Sequence, residues 1–266
     1  MRVAFFTNRT TRHSLPVLRQ LHELSPDELI HVYFYDTIGQ GSSKLSKTIS
    51  EFGWIVLLFK IWQLVASKLR LALGRRLKFS GRWATSPYEY VIFSGIPYSI
   101  VANINAPEVR AAMEQQQLDL FIVAICKNIL KKEVLQIPSY GAINIHPSLL
   151  PKYRGPTPIF WALYYNEPTV GVTFHRMTER IDEGAILGQY SLAVVNERSE
   201  EKITRKAFEL AAEKLTEVLE RVTDFDAANS ASESMVEASY FTYPTTEQRK
   251  RLRVKMRQFG GRQAPG

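Results

Sequence analysis

Short stretches rich in β-branched and aromatic residues alternate along this chain with stretches of helical periodicity. Stretches of the first kind predict strands, because such side chains pack well on a pleated sheet. The strands are expected at residues 2–7, 29–35, 98–104, 119–125, 141–146, 170–177 and 185–195. The helices are expected at residues 14–24, 107–116, 130–136, 159–166 and 207–222.

The order of these elements indicates the fold class. Strands and helices alternate at a spacing typical of an open, mostly parallel α/β sheet with helices on both faces. The segment DLFIVAI (119–125) is continuously apolar, as is usual for a strand that is buried on both faces. We expect residues 1–200 to form this domain. Residues 201–266 are expected to add an amphipathic helix, a strand at 239–244 and a basic tail.

A helical insertion is predicted at about 45–85, between the second and third strands. Four polar residues recur there at steps of three, four and three and form a narrow stripe on an otherwise apolar helix: Lys60, Gln63, Ser67 and Arg70. Too many charges interrupt the segment for a membrane-spanning helix. Two interpretations stay open. The insertion is buried against the domain or a homodimer partner, or residues 53–78 lie on the inner face of a membrane as a peripheral contact.

The net charge of +8 is concentrated in two segments of the chain. Seven Lys or Arg and no acidic residue lie between Gly53 and Pro87, and seven more lie from Thr245 onward against Glu247 alone. The rest of the chain is therefore mildly acidic. Because a nucleic-acid-binding core needs a basic surface of its own, this distribution does not favour nucleic acid as a partner.

Cysteine usage and the N-terminus bear on the location of the protein. Cys126 is the single cysteine, so an intrachain disulfide is impossible and a cysteine-based zinc site is not expected. The segment MRVAFFTNRT has too short an apolar stretch for a signal peptide and is better interpreted as a first strand. We expect a cytoplasmic protein.

The candidate chemistry lies in GAINIHPSLLPKYRG (141–155). Asn144 and His146 are two residues apart at the end of a predicted strand, so both side chains point the same way. Ligands of open α/β sheets bind beyond the carboxyl ends of the strands. Imidazole is the general acid or base available near neutral pH, and a carboxamide can donate a hydrogen bond to a developing oxyanion. The pair suits attack on a carbonyl carbon, although the segment supplies no evident nucleophile.

The segments NIHPSLLPKYRGPTPIFWAL and GVTFHRMTERIDEGAIL together resemble the catalytic domain of the folate-dependent formyltransferases. That family has a Rossmann-like fold and includes enzymes that formylate glycinamide ribonucleotide, methionyl-tRNA and nucleotide-linked amino sugars. The resemblance implies 10-formyltetrahydrofolate as formyl donor, a primary amine as acceptor and no metal. It also implies that Asp182 completes a catalytic set with Asn144 and His146. In that set Asn144 and a protonated His146 stabilise the oxyanion, and Asp182 stabilises the imidazolium.

The same resemblance places the other site residues. The donor would be held by the loop after the fourth strand: Ala124, Lys127, Asn128, Ile129 and Leu130. Many relatives carry an aromatic residue and then glycine where this chain has Ile125 and Cys126. Four further residues are candidates for substrate contact or support: Ser148, Arg154, His175 and Arg12. Gly184 is expected to give the loop around Asp182 unusual backbone angles.

The acceptor is the open question. Two features of relatives have no counterpart here: the glycine-rich loop after the first strand of the glycinamide ribonucleotide enzymes and the large C-terminal barrel of the methionyl-tRNA enzymes. A nucleotide-linked amino sugar is therefore the first choice of acceptor. A methionyl-tRNA formyltransferase-like enzyme and a 10-formyltetrahydrofolate hydrolase are the enzymatic alternatives. The alternative from another class is a non-catalytic binding protein on the same fold.

Overall fold

We describe the protein from a computed structural model. The described residues are 1–36, 62, 65–66, 68–126, 128–194, 197, 199–222 and 237–260. About half of the predicted insertion therefore lies outside the described residues, including Lys60, Gln63 and Ser67 of its polar stripe.

Seven strands form one open sheet. They are β1 (Val3–Asn8), β2 (Leu29–Tyr35), β3 (Tyr98–Val101), β4 (Leu120–Ala124), β5 (Ala142–His146), β6 (Thr169–Arg176) and β7 (Ile186–Ala193). Their spatial order is β3-β2-β1-β4-β5-β6-β7. Strands β1 to β5 pair in parallel, whereas β6 is antiparallel to both β5 and β7. The open, mostly parallel α/β fold predicted from the sequence is confirmed.

Eight helices accompany the sheet in the described part of the chain. They are α1 (Leu15–Leu24), α2 (68–76), α3 (Pro87–Ser94), α4 (Pro107–Gln115), α5 (Lys132–Leu135), α6 (Pro158–Tyr164), α7 (Glu200–Val222) and α8 (Thr246–Gly260). A short 3-10 turn, Gly81–Trp83, precedes α3. No helix among the described residues combines the length and the apolar character needed to cross a bilayer.

The two faces of the sheet are covered by different helices. Alternate residues of β1 enter different cores, Val3 and Phe5 on one side and Ala4 and Phe6 on the other, as the period of two in a strand requires. Helices α1 and α7 pack together on the first side. The apolar face predicted for α7 is buried there.

Several boundaries differ from the sequence prediction. Strand β3 ends at Val101, three residues early. The strand predicted at 239–244 is reduced to one parallel bridge between Arg154 and Tyr240. The basic tail forms a helix, because Leu252 is buried in a third core cluster beside α6. Helix α1 begins at Leu15, one residue later than predicted, and the Ser14 hydroxyl lies 2.7 Å from the Thr7 hydroxyl.

Candidate functional site

Strand β5 ends at the carboxyl edge of the sheet and carries Asn144 and His146 there. Its neighbour β6 runs antiparallel to it and places His175 directly opposite Asn144. Both histidines are almost fully buried, with 5% of His146 and 2% of His175 exposed. The strand pairing therefore brings one amide and two imidazoles together, as predicted for Asn144 and His146.

Asp182 enters the site from the loop between β6 and β7. Its own backbone lies in the left-handed region, with φ of 54°, which Asp tolerates better than most residues. Gly184 has a φ outside that region, so the expectation of unusual backbone angles at Gly184 is wrong. Glycine is needed there because a Cβ would lie 1.8 Å from the carbonyl oxygen of Arg176. The loop thus returns close to the end of β6 and directs Asp182 inward.

The Asp182 carboxylate is the centre of the site. Its Oδ2 accepts a hydrogen bond from Gly155 N at 2.8 Å and lies 3.6 Å from His146 Nδ1. Its Oδ1 lies 3.4 Å from Asn144 Nδ2 and 3.5 Å from His175 Nε2. Gly155 N and Asn144 Nδ2 both present N–H groups to it, so the arrangement suits an ionised carboxylate.

Protonation follows from burial and from these contacts. Burial alone would raise the pKa of Asp182, but the hydrogen bond with His175, the charge that His146 carries at acidic pH and the Gly155 N–H outweigh it and lower this pKa to about 2. Burial lowers the pKa of His146 below its usual value, although Asp182 opposes this change. His146 is therefore neutral in the free protein near pH 7. The protonated His146 that the resemblance implies for the reaction stays a prediction, because burial disfavours the charged ring only in the free protein.

Backbone carbonyls fix the orientation of both imidazole rings. A carbonyl can only accept, so His146 Nε2 carries a proton and donates it to Tyr153 O at 3.0 Å. By the same argument His175 Nδ1 donates to Arg176 O at 2.9 Å. His175 Nε2 is then free to accept from Asn144 Nδ2 at 3.1 Å. Asn144 Nδ2 also lies 3.4 Å from Asp182 Oδ1, which is longer than its 3.1 Å contact with His175. Because the longer hydrogen bond is the weaker one, the N–H that faces Asp182 is the one available to an oxyanion.

Two of the predicted supporting residues have structural roles. Ser148 is buried and its hydroxyl donates to Lys152 O at 2.9 Å, within its own loop. Arg154 Nη1 donates to Glu183 Oε1 at 2.8 Å and ties this loop to the loop of Asp182. His175 is in contact with the candidate catalytic residues, as described above. Neither Ser148 nor Arg154 contacts the three candidate catalytic side chains directly.

Arg12 lies in the turn between β1 and α1, at the same carboxyl edge of the sheet. It is exposed, and it forms no hydrogen bond or ion pair with Asn144, His146 or Asp182, all of which the structure describes. Contact between Arg12 and a bound substrate therefore stays a prediction.

The predicted donor loop follows β4. Ala124 and Leu130 are buried in the core, so only their backbone groups could meet a ligand, whereas the Ile129 side chain is 58% exposed. Asn128 is half-buried, and Lys127 lies outside the described residues. Among its described residues, the loop therefore offers backbone groups and the exposed Ile129 side chain to a ligand.

The departure at Ile125 and Cys126 has a structural consequence. Ile125 adopts φ of 56°, which is rare for a β-branched residue. Burial raises the pKa of the Cys126 thiol to about 11, so this cysteine is a protonated packing residue at neutral pH. The side chain of Asn105 accepts from Lys131 N at 2.8 Å and donates to Ile129 O at 2.9 Å. Asn105 fastens the donor loop, and the sequence analysis did not identify it.

Other functional groups in the site were also missed. The carbonyl of Tyr153 and the N–H of Gly155 hold His146 and Asp182, yet backbone groups leave no pattern in a sequence. Gly155 is the residue by which the sequence could have indicated this loop, because glycine is required there. Its φ is 104°, and a Cβ would lie 2.1 Å from Phe241 O. Thr173 is fully buried beneath the loop, where its hydroxyl donates to Ser148 O at 2.7 Å and accepts from Leu150 N at 3.2 Å.

Comparison with protein families gives one match that covers this site. The model of the formyl transferase family matches residues 87–219, half of the chain. The matched residues include Asn144, His146, His175 and Asp182. They also include the whole predicted donor loop from Ala124 to Leu130.

Two curated relatives are similar over part of the chain. The bifunctional polymyxin resistance protein ArnA of Wigglesworthia glossinidia brevipalpis is 42% identical over 112 residues, which are 42% of this chain and 16% of that protein. A methionyl-tRNA formyltransferase of Chloroflexus aggregans is 39% identical over 127 residues, which are 48% of this chain and 41% of that protein. The matched segments thus span less than half the length of either relative.

A solved structure shares the fold over most of the chain. It is an N-formyltransferase from Helicobacter canadensis in complex with folinic acid and dTDP-3-aminofucose. It aligns with a TM-score of 0.55 at 17% sequence identity, covering 91% of this chain and 71% of that one. The overall fold of this chain is therefore found in a solved structure of low sequence identity.

Proposed function

Because this chain belongs to the formyl transferase family, we propose that it transfers a formyl group from 10-formyltetrahydrofolate to a primary amine. The observation that carries the proposal is the Asp182 carboxylate, which lies within 3.4 to 3.6 Å of Asn144, His146 and His175. The folate supplies the formyl carbon when it is bound. Backbone groups from Ala124 to Leu130 would hold its ring system.

The protonation states suit a direct attack by the amine. Asn144 Nδ2 donates a hydrogen bond to the oxygen that becomes negatively charged. The neutral His146 takes the proton that the attacking amine loses and then delivers it to the leaving nitrogen, so no proton is gained or lost overall. Asp182 stabilises the intervening imidazolium from 3.6 Å. No nucleophile of the protein is required.

One assay separates this proposal from its rivals. The protein is incubated with 10-formyltetrahydrofolate, with and without candidate amines, and release of tetrahydrofolate is followed. Release that depends on an amine supports a formyltransferase, and release without an amine indicates a hydrolase. If the donor binds and no release occurs with any amine, the protein is a binding protein on this fold and the proposal fails.

For the acceptor we propose the amino group of a nucleotide-linked sugar. A solved structure that contains dTDP-3-aminofucose shares the fold of this chain. ArnA is among the relatives of this chain. Beside the candidate site, the turn after β1 offers the exposed Arg12 to an anionic group, together with Arg9, whose Nη1 also pairs with Asp36 Oδ2 at 3.2 Å. Arg9 also lies over the ring of Tyr88, 4.4 Å from its centroid, and a flat base could extend that stack.

The acceptor is tested by mass spectrometry after incubation with the folate donor. Nucleotide-linked amino sugars, glycinamide ribonucleotide and methionyl-tRNA are compared as substrates. We expect the amino sugars to gain the mass of a formyl group at the highest rate. Formylation of methionyl-tRNA at a comparable kcat/KM would contradict the proposed acceptor.

Methionyl-tRNA is the second candidate, because relatives of that name are frequent and α8 is strongly basic. Removing α8 is a poor test, since Leu252 is buried in the core. The double variant Lys250→Gln and Arg253→Gln removes two exposed charges and leaves that contact intact. A small sugar nucleotide predicts near-native kcat/KM, whereas a tRNA acceptor predicts a loss together with a shallower salt dependence.

We propose further that α2 rests on an anionic membrane surface. Two apolar side chains are more than half exposed on one side of this helix, Leu69 (65%) and Leu73 (51%), and Val65, four residues before Leu69, is 50% exposed. The opposite side is attached to the domain, because Arg70 Nε lies 3.2 Å from Glu89 Oε2. Lys68 and Arg75 flank the exposed stripe, and an apolar stripe with cationic flanks is typical of interfacial helices.

Vesicle sedimentation tests the membrane contact. We expect binding to vesicles containing phosphatidylserine that falls with added salt and is lost in the double variant Leu69→Glu and Leu73→Glu. Val254→Glu is the matched control, since Val254 is 53% exposed on another helix. Absence of binding, together with a wild-type dimer that the double variant converts to a monomer, would show that the stripe is a homodimer contact instead.

A further inference from the structure

A C-terminal segment runs beside the loop that follows β5. Arg154 N donates to Ser239 O at 2.9 Å, and Phe241 N donates to Arg154 O at 3.0 Å. The Ser239 hydroxyl accepts from Tyr153 N at 2.9 Å. We call residues 239–242 the strap. The strap lies outside the residues that the family model matches. Ser239 N also donates to Pro151 O at 3.2 Å, so four hydrogen bonds join the strap to Pro151, Tyr153 and Arg154.

The gripped loop also contacts the candidate catalytic side chains. The Tyr153 carbonyl accepts from His146 Nε2 at 3.0 Å, and the Gly155 N–H donates to Asp182 Oδ2 at 2.8 Å. Tyr153 therefore links the strap to His146. Its N–H donates to the strap, and its carbonyl accepts from the His146 ring. A displacement of this residue would remove the acceptor that orients His146.

Tyr153 needs such support because its backbone is strained. Its φ is 59°, in the left-handed region that bulky residues seldom adopt, and such conformations persist only where the surroundings impose them. The strap supplies the hydrogen bond from Ser239 and a stacked ring, since Phe241 and Tyr153 lie 5.6 Å apart at 21°. The Tyr153 hydroxyl donates to Glu167 Oε1 at 2.7 Å on the other side.

The strap is itself anchored to the domain. Trp161 Nε1 donates to Thr242 O at 3.0 Å, and the rings of Trp161 and Phe241 stack at 4.7 Å. Because a Cβ on Gly155 would lie 2.1 Å from Phe241 O, the loop and the strap are in direct backbone contact. The anchored strap can therefore hold Tyr153 in a fixed position.

We propose that Ser239 is a positioning residue of the active site, holding Tyr153 so that the carbonyl of Tyr153 fixes the imidazole of His146. Ser239 touches no reacting atom and acts through Tyr153. The kinetic consequence rests on the formyl transfer proposed above, whereas the effect on His146 does not.

The test compares Ser239→Ala, Ser239→Thr and Ser139→Ala. Ser139 is the matched control, because its hydroxyl makes one hydrogen bond of 3.0 Å to Asp119, away from the site. For Ser239→Ala we expect kcat to fall about 10- to 100-fold, with the KM for 10-formyltetrahydrofolate unchanged. Ser239→Thr restores kcat because it keeps the hydroxyl, and Ser139→Ala keeps near-native kcat.

A second readout follows the His146 ring by NMR across a pH titration. The hydrogen bond to Tyr153 raises the pKa of His146 against the effect of burial, so Ser239→Ala should move the titration to lower pH and Ser239→Thr should restore it. This shift in a protein that transfers no formyl group to any amine would refute the proposed function and support the positioning role.

Two results would overturn the positioning role. The first is an unchanged His146 titration in folded Ser239→Ala, and the second is an equal loss of kcat in Ser139→Ala. If Ser239→Ala does not fold, Phe241→Leu takes its place, since it removes the ring stacked on Tyr153 and keeps the backbone hydrogen bonds of the strap. An unchanged His146 titration in that variant would also contradict the proposal.

Discussion

Replacing Asp182 by asparagine removes the charge at the centre of the site and keeps the shape of the side chain. Asparagine tolerates the left-handed backbone found at this residue, so the change isolates the effect of the carboxylate. The variant keeps one oxygen that can accept the Gly155 N–H. It loses the negative charge that faces His146 and His175.

The structure gives the magnitude of the change in stability. The pKa of Asp182 is lowered from 3.8 to about 2 in the folded protein, and a pH unit corresponds to about 1.4 kcal/mol. Because the folded pKa is depressed, the ionised carboxylate stabilises the fold above pH 3.8, by about 2 kcal/mol, and this contribution is lost as the pH falls toward 2. Asp182→Asn should lower the free energy of unfolding by that amount at pH 7. The difference from wild type should shrink to roughly half near pH 3.

The same charge acts on catalysis through His146. The carboxylate raises the pKa of His146 against burial, so the variant should titrate this ring at still lower pH and stabilise its imidazolium less. We expect formyl transfer to fall at least about 100-fold, in the range found for lost general acid–base help.

Urea unfolding at pH 7, 4 and 3 measures the stability, and initial rates of tetrahydrofolate release measure the transfer. Asp119→Asn is the matched control. Asp119 also accepts backbone and side-chain hydrogen bonds, but it lies at the opposite edge of the sheet, so its variant should keep near-native transfer. A stability difference that stays constant from pH 7 to pH 3, or near-native transfer in Asp182→Asn, would refute the reasoning.

Three further predictions follow from the described contacts. A reduced-folate analogue at about 100 times its Kd should stabilise the protein by about 2.7 kcal/mol, and an unchanged Tm by scanning fluorimetry would mean that the loop at Ile125 does not bind it. Gly155→Ala should lower the free energy of unfolding by about 2 kcal/mol or more, since φ is 104° and Phe241 O lies 2.1 Å from the added Cβ. Thr173→Val keeps the shape but leaves Leu150 N without its buried acceptor, so urea unfolding should show a loss of about 1 to 3 kcal/mol, and no loss would contradict that accounting.

The strands and the mostly parallel sheet could be predicted from local pattern, whereas the strand order and the antiparallel pairing of β6 came only from the structure. The continuous apolar run of β4 indicates a strand covered on both faces, and both faces of the sheet are covered. The two-residue spacing of Asn144 and His146 places both side chains on one side of β5, because alternation is a property of any strand. Boundaries were less accurate where packing decides them, as in α8, which is helical because Leu252 enters the core beside α6.

The candidate site divides in the same way. Asn144 and His146 carry their chemistry in their side chains, so the sequence alone identified them and their spacing as candidates, whereas Asp182 was implied by the resemblance to the formyltransferases. The neutral state of His146, the buried hydroxyl of Ser148 and the grip of Ser239 on Tyr153 were decided by the tertiary structure. Burial depends on everything packed around a group, and Tyr153 and Ser239 are 86 residues apart along the chain. Backbone donors and acceptors are the same at every residue, so only the folded chain selects the carbonyl that meets His146 and the N–H that meets Asp182.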